Sequence, residues 1–408
     1  MINEPTIYVA LPVLNESENI VKLVDCLSLQ SYGNFKLIVC VNQYDSWWET
    51  LDKVAECEDN AVSLKLLKSV KKLDIEILDH STKGLGWPNK KGGVGWARKT
   101  IMDYIVSKAN KNDIIVSVDA DTYYPSDYLQ SVVDFFNENK DVCGLAVPYY
   151  HNLNNDDTDR LILRYEIYMR YYLLNMMRIN NPYAYTALGS AMAFPVWAYM
   201  KVGGLTPVAS GEDFYFLQKL VKHSKIGVWS NSVAYPSPRY SDRVLFGTGP
   251  ALIKGQSGDW SSYPHYHFQL FDKVGETYNI FGELYKNAEL TTPLDEFLKS
   301  QTNTNNIWSP LLSNYKDQKN FKLACANKVN GLRILQYLRK EQENVELCDE
   351  DIIYNYLLTY WNDEIDDKLL KDVKNLDYQE SSIEMLNELR DFLFRKEMEL
   401  RKMRVLNL

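Results

Sequence analysis

The stretch DIIVSVDADTYY, Asp113 to Tyr124, decides how this chain is read. Asp113 to Val118 is a short run of apolar, mostly β-branched residues, the pattern of a strand buried inside a sheet. It ends at Asp119, and Asp121 follows at the next alternate position. Two carboxylates just beyond a buried strand are carried out of the core and into whatever crevice the sheet's edge lines. Hard oxygen ligands of this kind suit Mg or Mn held together with phosphate oxygens. Asp pairs also cap helices and build turns, so the motif alone leaves both readings open.

Upstream of this strand, short β-branched runs alternate with longer amphipathic segments, the rhythm of βαβ units and a mostly parallel sheet. Strands are expected at Thr6–Leu11, Phe35–Val41 and Ile75–Leu78. Helices are expected at Ser17–Leu29, around Trp47–Glu56 and at about Trp96–Ala109. Ligands of such sheets bind beyond the carboxyl ends of the strands. Three polar segments fall there: Pro12–Glu16, Asn42–Ser46 and Asp119–Thr122. No G-x-G-x-x-G follows the first strand, which argues against the dinucleotide-binding version of the architecture.

A second acidic pair, Glu212-Asp213, follows Gly211 and opens an apolar helical run. Carboxylates at a helix start are favoured by the dipole and serve as caps. They also suit a general base that removes a proton from an attacking hydroxyl. The segment KGLGWPNKKGGVGWAR, Lys83–Arg98, combines glycines with Lys90, Lys91 and Arg98. Gly93 and Gly95 would let a ligand approach the backbone closely, with the cations meeting a nucleotide or diphosphate. A plain surface loop is the competing reading.

The chain has 408 residues, of which 46% are hydrophobic, enough to bury one large domain and a smaller unit. Its net charge of −9 argues against a nucleic-acid partner. Six cysteines lack C-x-x-C spacing and read as reduced, structural thiols. No leader pattern opens the sequence, and the apolar stretch Ala187–Met200 falls short of the roughly 20 residues of a spanning helix. A cytoplasmic location is expected, with contact at the inner face of the membrane left open. The boundaries expected are 1–250 for an α/β domain, 251–290 for a linker and site-covering segment, and 291–408 for a C-terminal α-helical region. The last segment, Ser381–Leu408, carries Ile383, Leu386, Leu389, Phe392 and Leu393 at helical spacing. Such a stripe packs on a neighbour within the chain, or serves a homodimer or a peripheral membrane contact.

In order and spacing, VALPVLNESENI (Val9–Ile20), GGVGWAR (Gly92–Arg98), VSVDADTYY (Val116–Tyr124), the Gly203-Gly204 turn and GED (Gly211–Asp213) resemble one family. It is the large family of inverting glycosyltransferases of the GT-A fold that includes the cellulose, chitin and hyaluronan synthases, of the family 2 type. The resemblance covers roughly the first 250 residues, about one such domain. It implies transfer of a sugar from a nucleotide-diphosphate donor, UDP-sugars favoured, to a carbohydrate or glycoconjugate hydroxyl, with Mn or Mg. Pro12, Asn15 and Glu16 would border the nucleotide, and Asn42 the base. Asp119 would meet the nucleoside or sugar, Asp121 the metal, and Asp213 would be the catalytic base, with Glu212 lining the sugar or acceptor pocket. Members of this fold often complete the metal site with a C-terminal His, for which His265 and His267 are candidates. Histidines in an aromatic loop also serve as plain structure. Arg239 and Arg243 suit a clamp on phosphate or an anionic acceptor.

Two departures matter. The second strand ends in Asn42-Gln43 where the family often has acidic residues, and the Q-x-x-R-W motif of processive synthases is missing. The rival to catalysis is a degenerate domain that binds nucleotide-sugar or a partner protein without turnover. A haloacid-dehalogenase phosphatase is disfavoured because Tyr123 stands where its motif carries Thr.

Overall fold

The computed structural model describes residues 4–89, 91–208, 210–287, 289–302 and 304–406, the side chains of 405 and 406 excepted. The chain divides into two compact units. The first comprises residues 1–159, 186–257 and 401–408, and the second residues 160–185 and 258–400.

In the first unit the elements up to the central acidic motif are β1 (Ile7–Val13), α1 (Ser17–Ser28), β2 (Phe35–Asn42), α2 (Val54–Ser69), β3 (Ile75–His80), α3 (Val94–Lys108) and β4 (Ile114–Ser117). There follow β5 (Thr122–Tyr123), α4 (Tyr128–Glu138), β6 (Gly144–Ala146), and α5 (Thr158–Arg178), most of which belongs to the second unit. Next come β7 (Met192–Pro195), α6 (Val196–Lys201), α7 (Glu212–His223), β8 (Ile226–Gly227), β9 (Tyr235–Pro236) and α8 (Thr248–Gln256).

Seven strands form the central sheet in the order β3-β2-β1-β4-β7-β6-β8. Only β7 runs against the rest. The mixed α/β class and mainly parallel sheet expected from the alternating pattern are therefore present. β1 and β4 read as continuous apolar runs because helices cover both faces of a parallel sheet. Ile7, Val9, Leu11 and Val116 have no exposed surface, and Ile114 almost none. α1 buries Ile20, Leu23, Val24 and Leu27, the i, i+3, i+4, i+7 stripe that seats a helix on the sheet.

The expected helix around Trp47–Glu56 is different. Two 3₁₀ turns, Asp45–Glu49 and Leu51–Lys53, precede α2. Thr50 between them is extended, with φ −109° and ψ 108°, which interrupts any helical ladder. All six cysteines are free thiols.

The second unit holds the rest of α5 and the helices α9 (Phe268–Leu284), α10 (Asp295–Thr302), α11 (Ser309–Asn314), α12 (Gln318–Lys328), α13 (Gly331–Gln342), α14 (Asp349–Tyr360), α15 (Asp367–Val373) and most of α16 (Ile383–Leu406). The helical C-terminal region is thus as expected, and an earlier helix joins it. On α16 the stripe Leu386, Leu389, Phe392 and Leu393 is buried inside the chain. Beside it Arg170 and Glu397, both without exposed surface, pair at 2.5 Å. Among the described residues no helix is long and apolar enough to cross a membrane.

Candidate active site

Parallel pairing sets the carboxyl ends of β1, β2 and β4 along one edge of the sheet. Ala10 faces Ser117 across β1 and β4, and Pro12 faces Cys40 across β1 and β2. The chain beyond each end supplies a polar segment: Asn15 and Glu16 after β1, Asn42 closing β2, Asp119 and Asp121 after β4.

Arg98 of α3 is the organising group here. Its side chain is 3% exposed. Its Nη2 donates to Asp119 Oδ1 at 2.6 Å and its Nε to Glu212 Oε1 at 3.0 Å. Nη1 donates to the Gly189 carbonyl at 2.7 Å and to Ser117 Oγ at 2.5 Å. The two acidic motifs, far apart in sequence, therefore meet on one guanidinium. Gly189 is required by that approach, since a Cβ there would stand 2.3 Å from Arg98 Nη2. Tyr124 adds a fixed edge: its hydroxyl donates to the Ser190 carbonyl at 2.9 Å and accepts from the Asp119 amide at 3.1 Å.

Glu212 and Asp213 open α7 after Gly211, which adopts the left-handed φ of 76°. Glu212 is buried and locked by Arg98. Burial and the neighbouring Asp213 outweigh Arg98 and push its carboxyl up to about 7. Asp213 is half-buried, and its Oδ1 accepts from the Phe214 amide at 2.7 Å. Burial also raises the Asp213 carboxyl above its usual range, against the opposing pull of Arg98. A carboxylate so placed holds a proton more firmly than an exposed one, which is what general-base work requires.

A second cluster surrounds Asp121. β5 and β9 pair antiparallel, Thr122 facing Pro236 and Tyr123 facing Tyr235. This pairing delivers the segment Ser237–Gly249 alongside the D-x-D motif. Arg239 Nε donates to Asp121 Oδ2 at 2.6 Å, and its Nη2 bonds Glu16 Oε1. Arg243 Nη1 donates to the same Glu16 oxygen at 2.7 Å. Desolvation raises the Asp121 carboxyl, with Arg239 opposing.

The remaining candidates are placed as follows. Asn42 is 2% exposed; its Nδ2 donates to the Val13 carbonyl at 2.9 Å while its Oδ1 is buried with no hydrogen-bond partner among the described residues. Pro12 is half-buried in β1, and Asn15 is exposed with a φ of 54°. Lys91 is exposed, its Nζ 5.3 Å from the Trp96 ring centroid; Lys90 lies outside the described residues. Gly95 serves packing, because a Cβ there would lie 2.2 Å from the Val208 carbonyl oxygen. His265 and His267 belong to the second unit. His265 has no exposed surface, its Nε2 lies 3.2 Å from the Tyr378 hydroxyl, and Asp349 stands 3.7 Å from Nδ1. His267 Nδ1 accepts from the Gln269 amide and caps α9.

Sequence reasoning missed Ser117, Gly189 and Tyr124, which hold Arg98 and Asp119 in place. It also missed the stacked pair His80 and Trp87, 3.8 Å apart at the end of β3. Ser117, Tyr124 and Trp87 lie inside the quoted stretches, but their roles are set by strand register and close packing rather than by the motif letters.

Among the described residues no group of three or more His, Cys, Asp or Glu is arranged to hold a metal ion. The donor chemistry nonetheless fits a hard divalent cation, which commonly uses one or two protein carboxylates and completes its shell with phosphate and water. The Arg239 guanidinium on Asp121 Oδ2 marks that oxygen as a place where positive charge is held.

The family model described as Glycosyl transferase family 2 matches residues 8–195. No curated protein matches the chain. Among solved structures, S. aureus TarS residues 1–349 with UDP-GlcNAc is 14% identical with a TM-score of 0.41, covering 83% of this chain and 92% of that one. Mannosyltransferase PcManGT from Pyrobaculum calidifontis, with GDP-Man and Mn2+, is 12% identical with a TM-score of 0.40, covering 84% and 88%. Glucosyl-3-phosphoglycerate synthase from Mycobacterium tuberculosis is 15% identical with a TM-score of 0.35, covering 58% and 71%.

Proposed function

With residues 8–195 matching the glycosyl transferase family 2 model, we propose that this chain transfers a sugar from a nucleotide-diphosphate donor to an acceptor hydroxyl, inverting the anomeric carbon. The observation that carries the reading is Arg98, which joins Asp119 to Glu212 and so sets Asp213 beside the D-x-D motif.

The acceptor oxygen forms its bond to the anomeric carbon as the bond from that carbon to the diphosphate oxygen breaks. The electron pair leaves on the diphosphate, and the hydroxyl proton passes to Asp213. Glu212 is unsuited to that proton because Arg98 already engages its Oε1, whereas Asp213 is hydrogen-bonded by the Phe214 and Gly189 backbone. Asp121 would hold a Mn or Mg ion, which would neutralise charge developing on the departing diphosphate, and Asp119 would meet the nucleoside or sugar. Arg98 is a positioning residue for both motifs. Asn42 Oδ1, a buried acceptor without a partner among the described residues, suits the ring N–H of a donor base such as uracil.

Donor hydrolysis tests the reading. A panel of UDP-, GDP- and dTDP-sugars is incubated with and without Mn, and nucleotide release is followed. Release from at least one donor, dependent on Mn and lost in Asp121→Ala, is expected. No metal-dependent binding or release from any donor would favour a catalytically inactive scaffold.

A further inference from the structure

We propose that Arg239 is a built-in counter-cation for Asp121, so that a divalent ion and the donor diphosphate must enter the site together. The inference rests on the transferase reading above and concerns the order in which its charges are exchanged.

Glu16, 6% exposed in its side chain, and Asp121, 19% exposed, are too sheltered to carry unbalanced charge cheaply. Arg239 and Arg243 answer them: Arg239 bridges Asp121 and Glu16, and Arg243 pairs with Glu16 and donates to the Leu14 carbonyl. Two carboxylates thus face two guanidiniums, and the cluster is neutral as it stands.

A divalent ion alone would add two positive charges beside Arg239 and would have to compete for the Asp121 oxygen held at 2.6 Å. A sugar donor alone would bring a dianionic diphosphate diester into a neutral cluster whose guanidiniums are already paired with carboxylates. Ion and diphosphate together leave the charge unchanged: the ion takes Asp121, and the freed guanidinium takes phosphate oxygens, for which its planar fork is suited.

The segment that carries both arginines is built to be moved. It is tied at Tyr240, whose hydroxyl pairs with Asp157 at 3.0 Å, and at the Phe246 amide, which donates to Ser210 Oγ at 3.1 Å. Between these points Asp242, Arg243 and Leu245 are exposed, Leu245 at 71%, while Ser241 and Val244 are half-buried. Few buried apolar contacts resist its displacement.

Mn2+ binding, read by electron paramagnetic resonance and by calorimetry, tests the proposal on the full chain, with UDP and GDP as nucleotide probes. For the unmodified chain, a nucleoside diphosphate should tighten Mn2+ binding by about tenfold or more, and Mn2+ should tighten the nucleotide by the same factor. Arg239→Ala, and Arg239→Gln as the variant of closer volume, should bind Mn2+ without nucleotide about tenfold tighter than the unmodified chain. Their coupling to nucleotide should shrink accordingly. Thermal melts establish that both variants are folded. If both bind Mn2+ no tighter than the unmodified chain while Asp121→Asn still abolishes nucleotide-dependent Mn2+ binding, the counter-cation role is wrong and the metal role of Asp121 stands. If Asp121→Asn binds Mn2+ and nucleotide as the unmodified chain does, the metal assignment itself fails, and this proposal with it.

Discussion

Arg98 Nε donates to Glu212 Oε1 across 3.0 Å and joins residues 114 positions apart in the chain. Both are buried, and burial alone would disfavour either charge. Asp119 and Glu212 hold the guanidinium charged against that burial. The pair fixes the start of α7, and with it the direction in which Asp213 leaves the helix.

Removing Arg98 should therefore cost both stability and chemistry. Arg98→Ala leaves Asp119 and Glu212 without their common partner, and breaking a buried pair from one side costs about 3–5 kcal/mol. Urea unfolding measures this. A loss below about 1 kcal/mol would mean that the site tolerates its carboxylates unpaired. Arg98→Lys keeps the charge without the fork and should keep more of the stability than of the activity.

Asp213→Asn should leave donor binding nearly intact and lower transfer by about 10²–10⁴-fold, the usual contribution of a general base. Nucleotide affinity and kcat measured on the same preparation separate the two effects. An unchanged kcat would remove Asp213 from the role of base.

The acid side of the pH profile follows from the same residue. A base works only when ionised, and burial raises the Asp213 carboxyl above its ordinary value. Activity is therefore full above that raised value and falls as pH drops through it, at a higher pH than an exposed aspartate would show. The neighbouring Glu212, pushed up to about 7, makes the pair titrate together, so the limb should be broader than one proton. An acid limb at the ordinary aspartate value would contradict the geometry.

In the second unit His265 sets a separate pH dependence, on stability. Burial, aided by Arg164, lowers its ring from 6.5 to about 4, against the pull of Asp349. The unfolded chain then takes up a proton below about pH 6.5 that the folded chain refuses until about 4. Stability is complete above 6.5 and falls by roughly 3 kcal/mol as pH drops to 4. Denaturant unfolding at several pH values reads this, and His265→Gln should flatten that part of the curve. An unaltered slope would mean His265 is charged in the folded chain.

Much of the first unit was legible because its elements obey simple periods. β1 and β4 are unbroken apolar runs, and α1 carries its stripe at 20, 23, 24 and 27. The short strands β6 and β8, of three and two residues, hold too few positions for any period to register. At the site, the acidic motifs were readable as chemistry, whereas their meeting point was not. Arg98 reads from its glycine-rich surroundings as a phosphate contact, yet its guanidinium is engaged by Asp119, Glu212, Ser117 and Gly189. Gly95 likewise reads as room for a ligand and is filled by the Val208 carbonyl. The Gly189 and Glu212 contacts of Arg98 and the Val208 contact of Gly95 join segments about 90 to 115 positions apart, which no local pattern encodes. The pairing of β5 with β9 brings Arg239 to Asp121 by the same kind of non-local register.

The anomeric configuration of the first sugar released or transferred, followed by proton NMR before mutarotation, tests the central claim most directly. Single displacement with Asp213 as base predicts a product opposite in configuration to the donor. A product that retains the donor's configuration would require a second displacement and would contradict the account.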